Sequence, residues 1–248
     1  MAAPKLLIVN GDDFGLSPGV NAGTIAARER GILTSASLMA RGPAAGEAAA
    51  YARRNLSLSV GLHLDLGEWV CREGNWEILY QVAPAGDARA VRAEARRQLD
   101  AFRRLTGMEP THLDSHQHVH RREPARSIFA EMAQELGVPL RGATPGVRYC
   151  GDFYGQTAEG HPLPGTLTVD HLLGVLGRLG PGAAELGCHP GQGKDFESPY
   201  LHERGRELAT LCDPRVRAAL PDLGITLCSF RSAELGPLLA GLAVQAGG

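Results

Sequence analysis

The sequence predicts an α/β fold, namely an irregular (β/α) TIM-like barrel with about seven parallel strands. Short apolar runs alternate with amphipathic stretches along the whole chain, which is typical of a parallel sheet covered by helices. Unusual polar residues follow several predicted strands, and a barrel gathers such strand ends at one mouth more fully than an open sheet does. No Pro/Ser-rich linker or charge block interrupts the 248 residues. We therefore expect a single domain over residues 1–248.

The predicted strands are short aliphatic runs bounded by Gly, Pro or polar turns. In chain order they are Lys5–Asn10, Thr34–Ala40, Leu58–Leu66, a strand that begins at about Thr111, Pro139–Gly142, Glu185–His189 and Ile225–Phe230. Two segments show no clean period and are predicted to be irregular, Gly67–Gly86 and Gly142–Gly165.

The predicted helices are amphipathic stretches, and several have recognisable start and stop residues. Ser17-Pro18 supplies a cap and a first helical residue, Asp87 caps an Arg-rich helix, and Gly107 follows the end of that helix. In chain order the helices are Pro18–Arg30, Ala44–Arg54, one from Asp87 through Leu105, Glu123–Leu136, Thr168–Leu179, a short one from Pro214 and one from Ser232. All but the last separate two predicted strands, as parallel pairing requires.

Composition argues against several classes of protein. The chain has 25 Lys and Arg against 27 Asp and Glu, so it lacks the basic excess with which proteins bind nucleic acid. No apolar run approaches the roughly 18 residues of a membrane-spanning helix, and the N-terminal apolar run is too short for a signal peptide. The 5 cysteines are scattered without a CxxC pair, which indicates neither a disulfide framework nor a thiolate zinc site. We expect a cytoplasmic protein, and a homodimer stays open.

An aspartate pair and a histidine follow two of the predicted strands. The first strand leads into NGDDFG, and a twisting strand exit can present both Asp12 and Asp13 to one pocket. The alternative is that one aspartate caps the turn and the other is solvated, since Asp and Gly are ordinary loop residues. On the third strand, His63 lies on a small, polar face while its leucine neighbours point the other way. Taken alone, His63 is better explained as an ordinary core or surface histidine, so its assignment to a site depends on the other candidates.

The strongest signal in the chain is the histidine-rich segment that begins at Thr111. With a period of two, one face of an extended strand collects His112, Asp114, His116, His118 and His120. Burying these groups without partners would cost roughly 1–3 kcal/mol each, so this face cannot be apolar core. A divalent metal held by one or two of the histidines, with the others as outer or substrate contacts, is the simplest explanation.

Two further strand exits add candidates. His189 precedes Pro190-Gly191, which keep the residue extended at the exit, and Arg231 follows the last strand. Each is otherwise an ordinary surface residue. One carboxylate with two histidines would leave coordination positions open for water and substrate, which is the arrangement of hydrolytic metal sites.

Four blocks of sequence occur in the order of a known family. They are Leu6–Met39 with NGDDFG, Val60–Leu66 (VGLHLDL), Pro110–His120 (PTHLDSHQHVH) and Glu185–Gly191 (ELGCHPG). In these blocks the chain resembles the YdjC-like carbohydrate deacetylases, which include chito-oligosaccharide and hopanoid-biosynthesis-associated members. The resemblance implies an irregular (β/α) barrel and metal-dependent hydrolysis of the N-acetyl group of an amino sugar. The chain departs from the family at Gln117, where some members have a third consecutive histidine.

The resemblance also implies residue roles. Asp13, His63 and His116 match metal-binding positions, Asp12 matches the catalytic base, and His189 matches a candidate general acid, with the order of roles inside the aspartate pair left open. The side chains expected to contact substrate are His118, His120, Arg231, Trp69, Trp76 and Tyr154. One divalent ion is implied, Mg²⁺ by resemblance, although an Asp/His/His set also suits Zn²⁺.

Two other functions stay open beside N-deacetylation of a GlcNAc-containing oligosaccharide or glycoconjugate. A metal-dependent phosphoesterase or other hydrolase would use similar ligands, but it should place Lys or Arg near the strand ends, and the three Asp/His segments carry none. A noncatalytic, metal-dependent sugar-binding protein would need neither Asp12 nor His189.

Overall fold

The computed structural model describes residues 4–193 and 195–236. The strands are β1 Lys5–Phe14, β2 Ser35–Leu38, β3 Ser59–Leu64, β4 Gly67–Arg72, β5 Asn75–Gln81, β6 Leu113–Ser115, β7 Val147–Cys150, β8 Gly182–Cys188 and β9 Ile225–Cys228. The α-helices are α1 Pro18–Arg30, α2 Ala45–Arg54, α3 Ala88–Thr106, α4 Ala125–Leu136, α5 Val169–Gly177, α6 Leu201–Leu211 and α7 Pro214–Ala219. Short 3-10 segments lie at His116–Arg121, Pro164–Leu167 and Ala233–Leu235.

Seven of these strands form one parallel sheet. Six follow the order β6-β3-β2-β1-β8-β7, and the seventh, β9, pairs with the N-terminal half of β1. Strands β9 and β2 pair with the same edge of β1. Strand β9 pairs with Lys5–Ile8, and β2 pairs with β1 from Asn10 onward. Strand β8 pairs with the other edge of β1. Among the described strands none joins β6 to β7, so the barrel is open at this seam. The predicted α/β class and the number of parallel strands are confirmed.

Helices cover the outside of the sheet with apolar side chains. On α3, Val91, Leu99 and Phe102 recur at helical spacing and are fully buried. Removing such surface from water is favourable by about 25 cal/mol per Å². The predicted caps are present, since Ser17 and Asp87 accept hydrogen bonds from N–H groups of the first turns of α1 and α3.

Both segments predicted to be irregular contain strands. Gly67–Gly86 forms the antiparallel hairpin β4–β5, whose turn holds Gly74 at φ +80°, a left-handed conformation that suits glycine. Strand β5 has no buried residue, so no alternation of buried apolar and exposed polar positions marks it in the sequence. Gly142–Gly165 contains β7, which pairs with β8 although none of its own residues is buried.

Two other predicted elements differ from the structure, and one helix was not predicted. Pro139–Gly142 is not a strand, because only Leu140 bridges to Leu113 of β6. Helix α6 is an addition to the predicted elements. The helix expected from Ser232 starts as a 3-10 turn at Ala233–Leu235, and residues 237–248 lie outside the described part of the chain. No described helix is long and apolar enough to cross a membrane.

Candidate active site

Polar side chains from the ends of β1, β3 and β6 meet at one end of the sheet. Strand β1 carries Asp12 and Asp13 near its end, and the chain turns at Asp13, whose φ is +63°. The pairing of β3 with β6 places His63 directly opposite Asp114. His116 follows β6 at once, where the strand gives way to a 3-10 segment. Parallel pairing therefore brings the Asp pair, His63 and His116 together, as expected for the carboxyl ends of barrel strands.

Asp13, His63 and His116 form the tightest group of metal-binding type. Oδ1 of Asp13 lies 3.2 Å from Nε2 of His63 and 3.0 Å from Nδ1 of His116. One ligand atom from each of the three residues lies within 4.8 Å of the others. This spacing allows all three to bind a single ion.

The surroundings of the two histidines also fit a divalent ion. Nδ1 of His63 is bound to Oδ1 of Asp114 at 2.8 Å, which leaves Nε2 free to act as a ligand. Nε2 of His116 is buried without a hydrogen-bond partner and lies 3.7 Å from Oε2 of Glu68. Burial would lower the pKa of both imidazoles, but facing carboxylates outweigh it and raise that of His63 to about 10 and that of His116 well above its ordinary value. The group therefore attracts positive charge.

A second group has spacing that suits a metal ion and consists of Asp12, His63 and Asp114. Arg141 already balances the charge of its two carboxylates. The Arg141 guanidinium donates to both oxygens of Asp12 at 2.6 and 2.7 Å, and it lies 2.7 Å from Oδ2 of Asp114. Its Nε donates to Glu185 of β8, also at 2.7 Å. Since one side chain reaches carboxylates on β1, β6 and β8, the sheet must curl around it. Arg141 occupies the place that a second cation would need.

Arg141 separates the pKa values of the carboxylates that surround it. Burial raises the pKa of each carboxyl group, but the guanidinium outweighs burial at Asp12 and Asp114 and lowers their pKa values. At Glu185 burial prevails and raises the pKa to about 7. Asp12 is therefore an ionised carboxylate at neutral pH, held in a fixed orientation.

His189 lies on the other side of Asp12. Its Nε2 is 3.7 Å from Oδ2 of Asp12, and its Nδ1 is 3.7 Å from Oε1 of Glu207. Glu207, on α6, also accepts a hydrogen bond from the backbone N–H of His189. The ring makes an edge contact with Tyr154 at 5.4 Å between centroids, and Tyr154 stacks on Tyr200. His189 is thus held at the strand exit by a carboxylate and two aromatic rings.

One comparison with known proteins decides the family. The family model described as YdjC-like protein matches residues 6–222 of the chain. The chain belongs to the YdjC-like family. A carbohydrate deacetylase of Geobacillus stearothermophilus is 32% identical, with 92% of this chain and 98% of the relative covered. A chitooligosaccharide deacetylase of Serratia marcescens is also 32% identical, with the same coverage.

Solved structures show the same fold. A proposed cellobiose-phosphate cleavage protein of Enterococcus faecalis V583 is 25% identical to this YdjC-like chain and superposes with a TM-score of 0.73, over 92% of this chain and 98% of the other. The family 4 carbohydrate esterase of Streptomyces lividans, solved with acetate, is 16% identical with a TM-score of 0.52, over 92% and 91% of the two chains. The second similarity concerns the fold alone.

The shared face predicted for the histidine-rich segment of this YdjC-like protein is wrong. Strand β6 ends at Ser115, and Gln117 and His118 adopt left-handed conformations at φ +48° and +52°. The chain therefore folds back, and Nδ1 of His120 lies 2.6 Å from Oγ of Ser115. Burial lowers the pKa of His118 to about 3 and that of His120 to about 4, so both are neutral at pH 7.

The remaining predicted substrate contacts fall in different places. Trp69 lies at the start of the β4–β5 hairpin, where its backbone N–H and carbonyl are both bound by the Gln117 side chain. Trp76 is 61% exposed near the hairpin turn. Arg231 is not brought to the site, because its guanidinium contacts Met108 in the segment that precedes β6. Tyr154, beside His189, is the predicted aromatic contact nearest to the candidate acid.

Two arginines at the site were missed by the sequence-based prediction. Arg141 lies within the predicted strand Pro139–Gly142, where a charged side chain is a signal that could have identified it. Arg204 lies on α6 and donates to Oδ2 of Asp13 at 2.5 Å. Since α6 was not predicted and Arg204 is 191 residues away in sequence from Asp13, nothing local marks it. Its guanidinium outweighs burial and holds the pKa of Asp13 well below its ordinary value.

Proposed function

We propose that this chain is a metal-dependent hydrolase that removes the N-acetyl group from an N-acetylated amino sugar and releases acetate and a free amine. The substrate class is a GlcNAc-containing oligosaccharide or glycoconjugate. The observation that carries the proposal is the Asp13, His63 and His116 group, with ionised Asp12 and His189 beside it. The names of the relatives, carbohydrate and chitooligosaccharide deacetylase, support the same chemistry.

Asp13, His63 and His116 are the residues that would hold one divalent ion. When bound, the ion supplies Lewis-acid polarisation of the acetamide carbonyl and lowers the pKa of a water molecule. The donor set of one carboxylate and two imidazoles is of the kind that suits Zn²⁺, whereas Mg²⁺ prefers oxygen ligands. Arg204 holds Oδ2 of Asp13 and so directs Oδ1 toward the two histidines.

Asp12 is the base in this proposal. Arg141 and Asn10 hold its carboxylate by three hydrogen bonds of 2.6 to 2.9 Å, so it is oriented before substrate arrives. Oδ1 accepts two of these bonds and Oδ2 accepts one, so Oδ2 retains a lone pair, and Oδ2 is also the oxygen that faces His189. Asp12 takes a proton from the attacking water.

His189 is the acid. Its Nε2 lies on the Asp12 side, and its Nδ1 faces Glu207. A proton from Nε2 goes to the departing nitrogen, because an unprotonated amide nitrogen is a poor leaving group.

An adjacent groove supports a sugar substrate. A groove of about 490 Å³ lies between the β4–β5 hairpin and residues 196–201, and its lining includes Val70, Leu79 and Phe196. Phe196 packs under the Arg204 guanidinium, which in turn binds Asp13, so the groove starts beside the proposed metal site. Apolar and aromatic side chains of this kind offer flat faces to sugar rings.

A phosphoesterase is less well supported. Arg141 is fully buried and engaged with three carboxylates, so it has no face for a phosphate. Arg204 is also buried and binds Asp13 through Nη2, while its Nε and Nη1 have no hydrogen-bond partner among the described residues. The two arginines at the site therefore balance the charge of protein carboxylates.

The test is acetate release from N-acetylglucosamine oligomers and from nucleotide- and lipid-linked GlcNAc, with and without added divalent metal. Asp12→Asn and Asp13→Asn form a matched pair, because each removes one charge at neighbouring positions. We expect Asp12→Asn to keep metal affinity and lose at least about 100-fold in kcat, as for a lost general base. We expect Asp13→Asn to lose metal affinity. Full activity in Asp12→Asn, or no acetate from metal-replete protein with any of these sugars, would overturn the proposal.

The native metal is a separate question. Metal analysis of protein purified without a His-tag measures which ion the chain retains. From the donor set we expect Zn²⁺ rather than Mg²⁺. Retention of Mg²⁺ alone would contradict this expectation and favour the ion implied by the resemblance.

A further inference from the structure

A continuous chain of hydrogen bonds runs inside the barrel, from the start of β3 to the candidate metal site. Its members in order are Ser59, Thr111, His112, Ser37, Asp114 and His63. The successive distances are 2.7, 2.9, 3.0, 2.6 and 2.8 Å. All members except Thr111 are buried. We call this set of residues the relay.

The direction of each hydrogen bond in the relay follows from the number of protons available. Asp114 is held in an ion pair with Arg141 at 2.7 Å and accepts hydrogen bonds there, so the single proton of the Ser37 hydroxyl points to its Oδ2. Ser37 must then accept its other two hydrogen bonds, from Nδ2 of Asn10 at 2.8 Å and from Nε2 of His112. His112 therefore carries its proton on Nε2.

The remaining relay bonds point the same way. Burial lowers the pKa of His112 to about 4, so the ring is neutral at pH 7 and has one N–H. Its Nδ1 therefore accepts from the Thr111 hydroxyl, and Thr111 accepts from Ser59. Every relay donor on this side points toward Asp114, while His63 donates to Asp114 from the other side.

The packing around His112 holds its ring in this position. The ring stacks on Phe230 with 3.9 Å between centroids. Gly61 is the neighbour in β3, and a Cβ at that position would lie 2.5 Å from the ring. The glycine therefore provides the space that the ring occupies, and the ring faces Ser37.

We propose that Ser37 and His112 are positioning residues, which act through Asp114 to keep a proton on Nδ1 of His63 and so direct Nε2 toward the metal. The proposal rests on the proposed function in that His63 is taken as a metal ligand. Outer partners of metal-ligating histidines fix the ring and the tautomer, and their loss typically costs about 10–100-fold in metal affinity. The relay extends this control to the far end of the barrel.

The first test is nitrogen NMR of histidine-labelled, Zn²⁺-loaded wild-type protein. We expect His112 to carry its proton on Nε2, and His63 to carry its proton on Nδ1 with Nε2 bound to Zn²⁺. A proton on Nδ1 of His112, or Zn²⁺ on Nδ1 of His63, would overturn the proposal. This measurement needs no variant and no substrate.

The second test compares two amide variants of His112. In His112→Gln the amide reaches the place of Nε2 and can still donate to Ser37, whereas in His112→Asn it reaches only the place of Nδ1. We expect Zn²⁺ affinity, measured by chelator competition, to fall about tenfold in His112→Asn and in Ser37→Ala and to stay within about threefold in His112→Gln. Equal affinity in the Gln and Asn variants, with both folded by thermal unfolding, refutes the relay. Neither test measures acetate release, so a failure of the relay proposal can be told apart from a failure of the proposed deacetylation.

Discussion

Replacing Glu185 by Gln should remove a loss in the free energy of unfolding that occurs as pH rises. Glu185 lies fully buried on β8, and its only described hydrogen bond is to Nε of Arg141. Burial raises its pKa from the ordinary 4.5 to about 7. Between these two pH values the folded protein keeps a proton on Glu185 that the unfolded chain has lost. Since the unfolded state binds fewer protons, the free energy of unfolding falls as pH rises through this window.

The size of the effect follows from the pKa difference. The window from 4.5 to about 7 is about 2.5 pH units wide, and each unit corresponds to about 1.4 kcal/mol. Wild-type protein should therefore lose about 3 kcal/mol of stability through Glu185 between pH 4.5 and 7. Glu185→Gln keeps an oxygen for Arg141 and cannot ionise. We expect the variant to match wild type at pH 4.5 and to exceed it by up to about 3 kcal/mol at pH 8.

The assay is urea unfolding of metal-free wild type and variant across pH 4.5 to 8. The difference between the two proteins isolates Glu185, because His63 and the other titrating groups are common to both. Glu94→Gln is the matched control: Glu94 is also buried, but its bonds to Gln98 and Arg41 outweigh burial and lower its pKa. That variant should lose stability at pH 8, the opposite sign. A difference for Glu185→Gln that stays constant with pH would refute the reasoning.

Three other predictions concern the site and its rim. Metal binding should release a proton from His63, because the pKa of His63 is raised to about 10. The apparent Zn²⁺ affinity should therefore rise with pH between 6 and 9. Calorimetry in buffers of different ionisation enthalpy measures both the affinity and the number of protons released. Gln117→Ala should speed hydrogen exchange at the Trp69 amide by about tenfold or more, because that N–H loses its partner; unchanged exchange would contradict this. Arg231→Ala should leave KM within about twofold of wild type, since Arg231 contacts Met108, whereas a large rise would restore its predicted substrate role.

The fold was largely predictable because its signals are local. Apolar runs mark strands that are buried on both faces, such as β1 and β8, and Ser17 and Asp87 mark the starts of α1 and α3. The β4–β5 hairpin and β7 could not be predicted, because neither has a fully buried face. These strands form because they pair with the strand next to them, and the alternation of apolar and polar residues within a short segment does not indicate such pairing.

The candidate site was predictable where a residue lies in or directly after the end of a strand within its own motif, as Asp13, His63 and His116 do. The face shared by His112 through His120 was wrong because period two was extended beyond Ser115, where left-handed residues end the strand. Arg204 could not be found, since it depends on how α6 packs near β1. The histidine pattern thus indicated the candidate ligands but not the arginines that surround them.

The buried charges of the candidate site bear on which cation it could hold. Asp12, Asp13 and Asp114 are held ionised, and Arg141 and Arg204 supply two positive charges against them. Negative charge remains in excess, and Glu68 and Glu207 add to it at the edges of the group. Without metal, the raised pKa values of His63 and His116 offset this excess with protons. An ion that binds the same nitrogens must replace those protons, and a dication bound to two neutral imidazoles restores the same charge with two protons released. A monovalent ion would supply only one of the two positive charges that leave with these protons, so the charge balance favours a divalent ion.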